Sequence, residues 1–72
     1  MLKILKEVLE ARHPIVATSL NNIGLCYEAQ WKYAEALEYY SEALEIRREV
    51  LGEQHPDTLN ALRNIEDCKE KL

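Results

Sequence analysis

Apolar residues recur every three or four positions along almost the whole chain, with polar residues filling the places between. That period belongs to helices and not to strands. Leu2, Leu5, Val8 and Leu9 open the pattern and predict a helix over about 2–11. A second stripe, Leu20, Ile23, Cys26 and Tyr27, predicts a helix over about 14–30. Tyr33, Ala36, Leu37, Tyr40, Ala43, Leu44 and Val50 predict a third over 33–51, facing inward, and a fourth follows over about 56–71. His13-Pro14 and His55-Pro56 mark two helix starts. A residue before proline avoids the α region, whereas proline itself suits the first helical turn. Gly52 is placed to end the third helix in a left-handed cap, and Asp57 favours the positive end of the fourth. Only two prolines and two glycines interrupt a chain rich in strong helix formers. The expected fold is all-α, an antiparallel array of helix hairpins forming one domain over 1–72.

The pattern also repeats. Residues 1–30 laid on 43–72 agree at 12 of 30 positions without a gap, including both His-Pro pairs, Leu20/Leu62, Asn22/Asn64, Ile23/Ile65 and Cys26/Cys68. A fixed period of 42 residues implies stacked repeats. Such arrays build surfaces and seldom build catalytic centres. One repeat cannot cover its own apolar face, and roughly three are usually needed. With fewer than two periods, this chain needs polar end helices or a partner copy to cover what is left.

Leu20-x-x-Ile23-Gly24-x-x-Tyr27, followed by Tyr33-x-x-Ala36-x-x-x-Tyr40-x-x-Ala43-Leu44, resembles the tetratricopeptide repeat signature. Gly24, Ala36 and Ala43 supply the small residues that pattern places where helices A and B meet. The 42-residue period, the His-Pro helix starts, Ser19-Leu20-Asn21-Asn22 and Ala43-Leu44-Glu45-Ile46-Arg47 resemble the long-repeat subclass found in kinesin light chains. The resemblance covers the whole chain and implies the helix order B, A, B, A. Two positions depart from it. Trp31 stands where glycine is expected between helices A and B, which makes a continuous helix from Pro14 to Leu51, with exchange of halves between two chains, conceivable. In the last helix Gly24, Leu25, Tyr27 and Ala29 become Glu66, Asp67, Lys69 and Lys71, which reads as a polar cap.

Charge and chemistry narrow the function. Thirteen acidic and nine basic residues give a net charge of −4, against nucleic acid as a partner. No apolar run approaches a membrane span, and no signal-peptide pattern opens the chain. Cys26 and Cys68 occupy equivalent places on stacked helices, whose axes lie about 8–10 Å apart, too far for a disulfide. Both are expected to be reduced core residues in a reducing, cytoplasmic compartment. Glu35, Glu38, Glu42, Glu45 and Glu49 read as a solvated face that Arg47 and Arg48 partly balance, and not as a cation site. No phosphate loop, metal-ligand spacing or Cys-His pair with an orienting group occurs. The two histidines read as helix caps. Neither enzyme activity, cofactor nor metal is expected.

The resemblance implies an extended peptide or protein partner on the concave face lined by A helices, where asparagine amides hold peptide backbone. Asn22 and Asn64 match that place, with Thr18, Asn21, Asn60 and Arg63 at neighbouring turns and Glu28 and Asp67 beside them. The family's lysine-and-asparagine grip on a C-terminal carboxylate is not met, because Asn21 and Leu25 stand there. Tyr27, Tyr33 and Tyr40 belong to the expected core. Trp31 has no core place and is the best candidate for an interface anchor. Leu2, Leu5 and Val8 present an apolar stripe suited to end-to-end packing, so a homo-oligomer is the expected state at high concentration.

Overall fold

The computed structural model describes residues 13–72. They form three helices, α1 (Pro14–Ala29), α2 (Tyr33–Leu51) and α3 (Pro56–Glu70), and no strand occurs among the described residues. The helix expected over 2–11 lies outside them.

Both His-Pro pairs start helices, and the histidines do the capping. His13 Nδ1 accepts the Ile15 N–H at 3.1 Å, and His55 Nδ1 accepts the Asp57 N–H at 3.0 Å. Each imidazole thus satisfies one of the orphan donors that open a helix. The arrangement requires Nδ1 to be unprotonated.

The turn between α1 and α2 closes within one chain. Lys32 N–H donates to the Tyr27 carbonyl at 2.9 Å, and Trp31 N–H donates to Glu28 at 2.9 Å. These two bonds make a Schellman motif with Trp31 at its left-handed position. Trp31 has a φ of 65°, and its side chain is 81% exposed. The continuous helix through Trp31 therefore does not form, because two backbone hydrogen bonds hold the turn. The bulky residue still opposes it, since left-handed angles cost an L-residue about 1–2 kcal/mol. Trp31→Gly should raise stability by about 1 kcal/mol and the melting temperature by about 4–8 °C. A melting scan of the two proteins checks this.

Gly52 ends α2, but not in the left-handed cap expected. Its φ of 97° and ψ of 158° lie in a region open almost only to glycine. The next helix is tied to it, for Thr58 Oγ1 donates to the Gly52 carbonyl at 2.7 Å. Arg47, expected on the solvated face, is buried and donates to the Asp57 carbonyl at 3.2 Å. It reaches across from α2 to the first turn of α3. Glu35, Glu38, Glu42 and Glu45 are exposed as expected.

α2 is the middle element, with α1 packed on one flank and α3 on the other. The two outer helices therefore turn different faces to it. α1 buries Ala17, Asn21 and Gly24, whereas α3 buries Thr58, Ala61, Ile65 and Cys68. Under the 42-residue repeat, the α3 equivalents of Ala17, Asn21 and Gly24 are Leu59, Arg63 and Glu66, and all three are exposed. The α1 equivalents of Thr58, Ala61, Ile65 and Cys68 are Val16, Ser19, Ile23 and Cys26. Of these only Val16 is half-buried, and the rest are exposed. Sequence equivalence thus does not carry burial with it. Ile23, Cys26 and Val50 were expected inside and are exposed, because the helix that would cover each is not among those packed against it.

The core has two parts. Ala17, Ala43 and Ile46 pack with Val16 and Leu20 near the start of α1. Ala36, Tyr40, Ile65 and Cys68 pack with Tyr27, Tyr33, Leu37 and Leu44 towards the other end. Both cysteines are free, and burial raises the Cys68 thiol above its ordinary value. Its Sγ lies 3.5 Å from the Tyr33 carbonyl.

Candidate functional site

Two helices with the same repeat position, α1 and α3, meet edge to edge beside α2. Asn64 Nδ2 donates to Asn21 Oδ1 at 2.9 Å, a bond from one to the other. Asn21 is buried and Asn64 half-buried. Both were expected to reach a ligand. Instead each fixes the other, because a buried amide without a partner is costly.

An exposed strip, polar but for Leu25, flanks that bond. On α1, Thr18, Asn22 and Leu25 follow at helical spacing, and their repeat equivalents on α3 are Asn60, Asn64 and Asp67. All but Asn64 are exposed, and so is Arg63 one turn away. The Thr18 hydroxyl donates to the Pro14 carbonyl at 3.2 Å, within its own helix. Asn22, Asn60 and Arg63 therefore form the part of the expected binding set that points outward from the two helices. Leu2, Leu5 and Val8 lie outside the described residues. Trp31 stands just past the end of α1, at the α1–α2 turn, where its N–H donates to the Glu28 carbonyl at 2.9 Å.

Glu28 closes the strip at the far end of α1. It accepts the Tyr40 hydroxyl at 2.7 Å and the Lys71 ammonium at 2.5 Å. One carboxylate thus joins α1, the core of α2 and the residue that ends α3. Lys71, then the Tyr40 hydroxyl, hold Glu28 below the ordinary glutamate range, against the opposing effect of burial. Burial and the Glu28 carboxylate push Tyr40 well above the usual phenol range. Sequence reasoning placed Glu28 on the groove face and missed this junction. The signal was its identity with Glu70 in the repeat, but nothing local pointed to Tyr40 or Lys71. The sign of its pH effect follows. A carboxylate with a lowered native value adds stability that is complete above the unfolded value of about 4.3 and fades as pH falls through the native one. Glu28→Gln should be less stable than wild type at pH 7, and the gap should close below about pH 4. Urea unfolding at the two pH values reads this.

Near the start of α3 an open pocket of about 340 Å³ is lined by Leu44, Arg48, Glu53, Gln54, Thr58, Leu59 and Leu62. Leu59 and Leu62 are 47% and 42% exposed. The polar cap expected of this helix is thus only half present. Its second half is polar through Glu66, Lys69 and Glu70, while its first half offers two leucines. Among the described residues no group of His, Cys, Asp or Glu could hold a metal ion.

A sequence profile of the tetratricopeptide repeat matches residues 16–72. The chain belongs to the tetratricopeptide repeat family. The repeat accounts for Gly24 at the helix crossing. Tetratricopeptide repeats are in general non-catalytic modules that mediate protein–protein interaction. Over 43 residues, 60% of its length, the chain is 49% identical to a nucleotide-binding leucine-rich repeat (NLR)-like protein of Hyaloscypha variabilis. That stretch spans 4% of the relative's own length. No helix among the described residues is long and apolar enough to cross a membrane.

Proposed function

We propose that this tetratricopeptide repeat chain is a non-catalytic module that holds an extended peptide across the α1–α3 face. The Asn64–Asn21 bond carries the reading. It sets the two A-type helices side by side and leaves Asn22, Asn60 and Arg63 exposed along them. Amide side chains suit a peptide backbone because each donates and accepts at once. On this reading the helix order is B, A, B, A, with residues 2–11 as the trailing B helix of one domain over 1–72. The long-repeat, kinesin-light-chain-like subclass and a cytoplasmic setting belong to the same proposal.

The structure sharpens the test. Asn64→Ala would strip the partner from buried Asn21, so it confuses stability with binding. Asn22→Ala and Asn60→Ala touch exposed side chains and should leave folding intact. A peptide selected from a random library on the wild-type chain should lose about 1 kcal/mol, roughly fivefold, with each substitution. Calorimetric titration measures it. Equal affinity for all three proteins would remove this face from the binding site.

A further inference from the structure

We infer that the α1–α2 turn and the outer side of α2 form a docking surface for an arginine-rich segment of a partner protein, held by the rings of Tyr27, Trp31 and Tyr39 and the carboxylates of Glu38 and Glu42. None of these residues belongs to the proposed peptide face, so the inference goes beyond that reading.

The rings show what the surface accepts. Tyr27, near the end of α1, and Tyr39, on α2, stack with centroids 5.4 Å apart and planes 13° from parallel. Both are half-buried, so part of the pair meets solvent. The Lys32 ammonium lies over the Tyr27 ring, 5.9 Å from its centroid. A ring face is negative and attracts a cation within about 6 Å. The chain's own lysine thus marks the kind of group that settles here. It sits at the outer edge of that range, and an ammonium is strongly hydrated. A guanidinium is planar and less hydrated, so it can stack where an ammonium only approaches. Trp31 adds a third ring, next to Lys32 in the chain. It is 81% exposed and holds a φ of 65° that glycine would adopt at less cost. So exposed an indole does little for the fold, whereas tryptophan is enriched among the anchors of interfaces.

The charge around the rings has one sign. Glu35, Glu38, Glu42 and Glu45 recur at spacings of three and four and are exposed along one side of α2. From Tyr33 to Ile46 the helix holds no basic residue, and Arg47, the first, is buried. Two of the carboxylates act on the rings. The Tyr39 phenol is raised above its ordinary value by Tyr27 first, with Glu42 and Glu38 among the lesser causes. Carboxylates beside ring faces suit arginine twice over. Its fork of N–H donors pairs with a carboxylate while its plane lies on a ring. The stacked rings and the acidic side are separate observations, and both call for the same cation. Every residue of this surface lies between Tyr27 and Glu42, on the two sides of one closed turn.

Trp31 is the chain's one tryptophan, so its fluorescence reports on this surface directly. The probe is a synthetic peptide of alternating arginine and glycine, compared with the same peptide carrying lysine or glutamate. The arginine peptide should change the Trp31 emission saturably, the lysine peptide should bind more weakly, and the glutamate peptide should not bind. Glu38→Lys with Glu42→Lys should weaken binding about tenfold, and circular dichroism should show its helices intact. Trp31→Gly, which should fold at least as well as wild type, should lose about fivefold by calorimetry. Glu66→Lys with Glu70→Lys makes the same change in net charge elsewhere and should bind as wild type, as should Asn22→Ala on the peptide face. No saturable response to the arginine peptide overturns the inference. So does a lysine peptide that binds as tightly, or a Trp31→Gly chain that binds undiminished, since the rings then play no part. An equal loss in the Glu66 and Glu70 variant reduces the effect to net charge, and a loss in Asn22→Ala moves the peptide to the other face; either result overturns it too.

Discussion

Gly24→Ala is expected to cost about 2–3 kcal/mol, and Gly24→Leu to prevent folding. A Cβ at this position would stand 2.6 Å from Tyr40 Cε1 and 2.7 Å from Cδ1. The ring cannot easily give way. Tyr40 is fully buried, and its hydroxyl is held by Glu28. Helix propensity acts in the opposite direction, since alanine is better than glycine in a helix interior by about 1 kcal/mol. The sign of the measured effect therefore decides which term dominates. Urea unfolding would settle it, and a stabilised Gly24→Ala would mean that α1 and α2 do not cross this closely in solution.

Tyr40→Ala should be at least as damaging, at about 3–5 kcal/mol, as expected when a buried aromatic is truncated. At roughly 0.05–0.15 kcal/mol per residue a chain of 72 residues holds about 4–11 kcal/mol, so the variant should lose a large share of its stability and unfold at a much lower urea concentration. Tyr40→Phe separates the ring from its hydroxyl. It should cost only about 1 kcal/mol, the bond to Glu28. The two sites must also couple, because they touch. In a Tyr40→Leu background the added methyl of Gly24→Ala loses most of its obstruction, so the pair should be less harmful than the sum of its parts. Thermal unfolding of the four proteins of that cycle gives the interaction directly, and strict additivity would contradict the contact.

Much of the site was legible because it depends on local rules. His13 and His55 cap helices for the reason their position before proline suggests. Gly24, Ala36, Ala43 and Tyr40 fall on the crossing because helical spacing brings them to one face. Asn22 and Asn60 are exposed where the repeat puts them. The errors share one cause. Equivalence under the 42-residue shift does not carry equivalence of surroundings, as exposed Cys26 and buried Cys68 show. Asn21 and Asn64 are an instance of the same thing at the proposed peptide face. They are 43 residues apart and not 42, so no repeat alignment pairs them.

Helix boundaries, turn positions and the small residues at the crossing were determined by the sequence alone, since backbone angles and side-chain period act over a few residues. The tertiary structure decided which face of each helix is covered. α1 and α3 carry the same pattern, but α2 lies between them and can cover only one flank of each. It decided also that Arg47 and Glu28 act as links between helices, because their partners, Asp57, Tyr40 and Lys71, are brought near only when the chain folds back. And it decided that Trp31 sits in a left-handed turn. Two backbone hydrogen bonds and the packing of two helices outweigh a local preference of about 1–2 kcal/mol, a balance that no single position in the sequence contains.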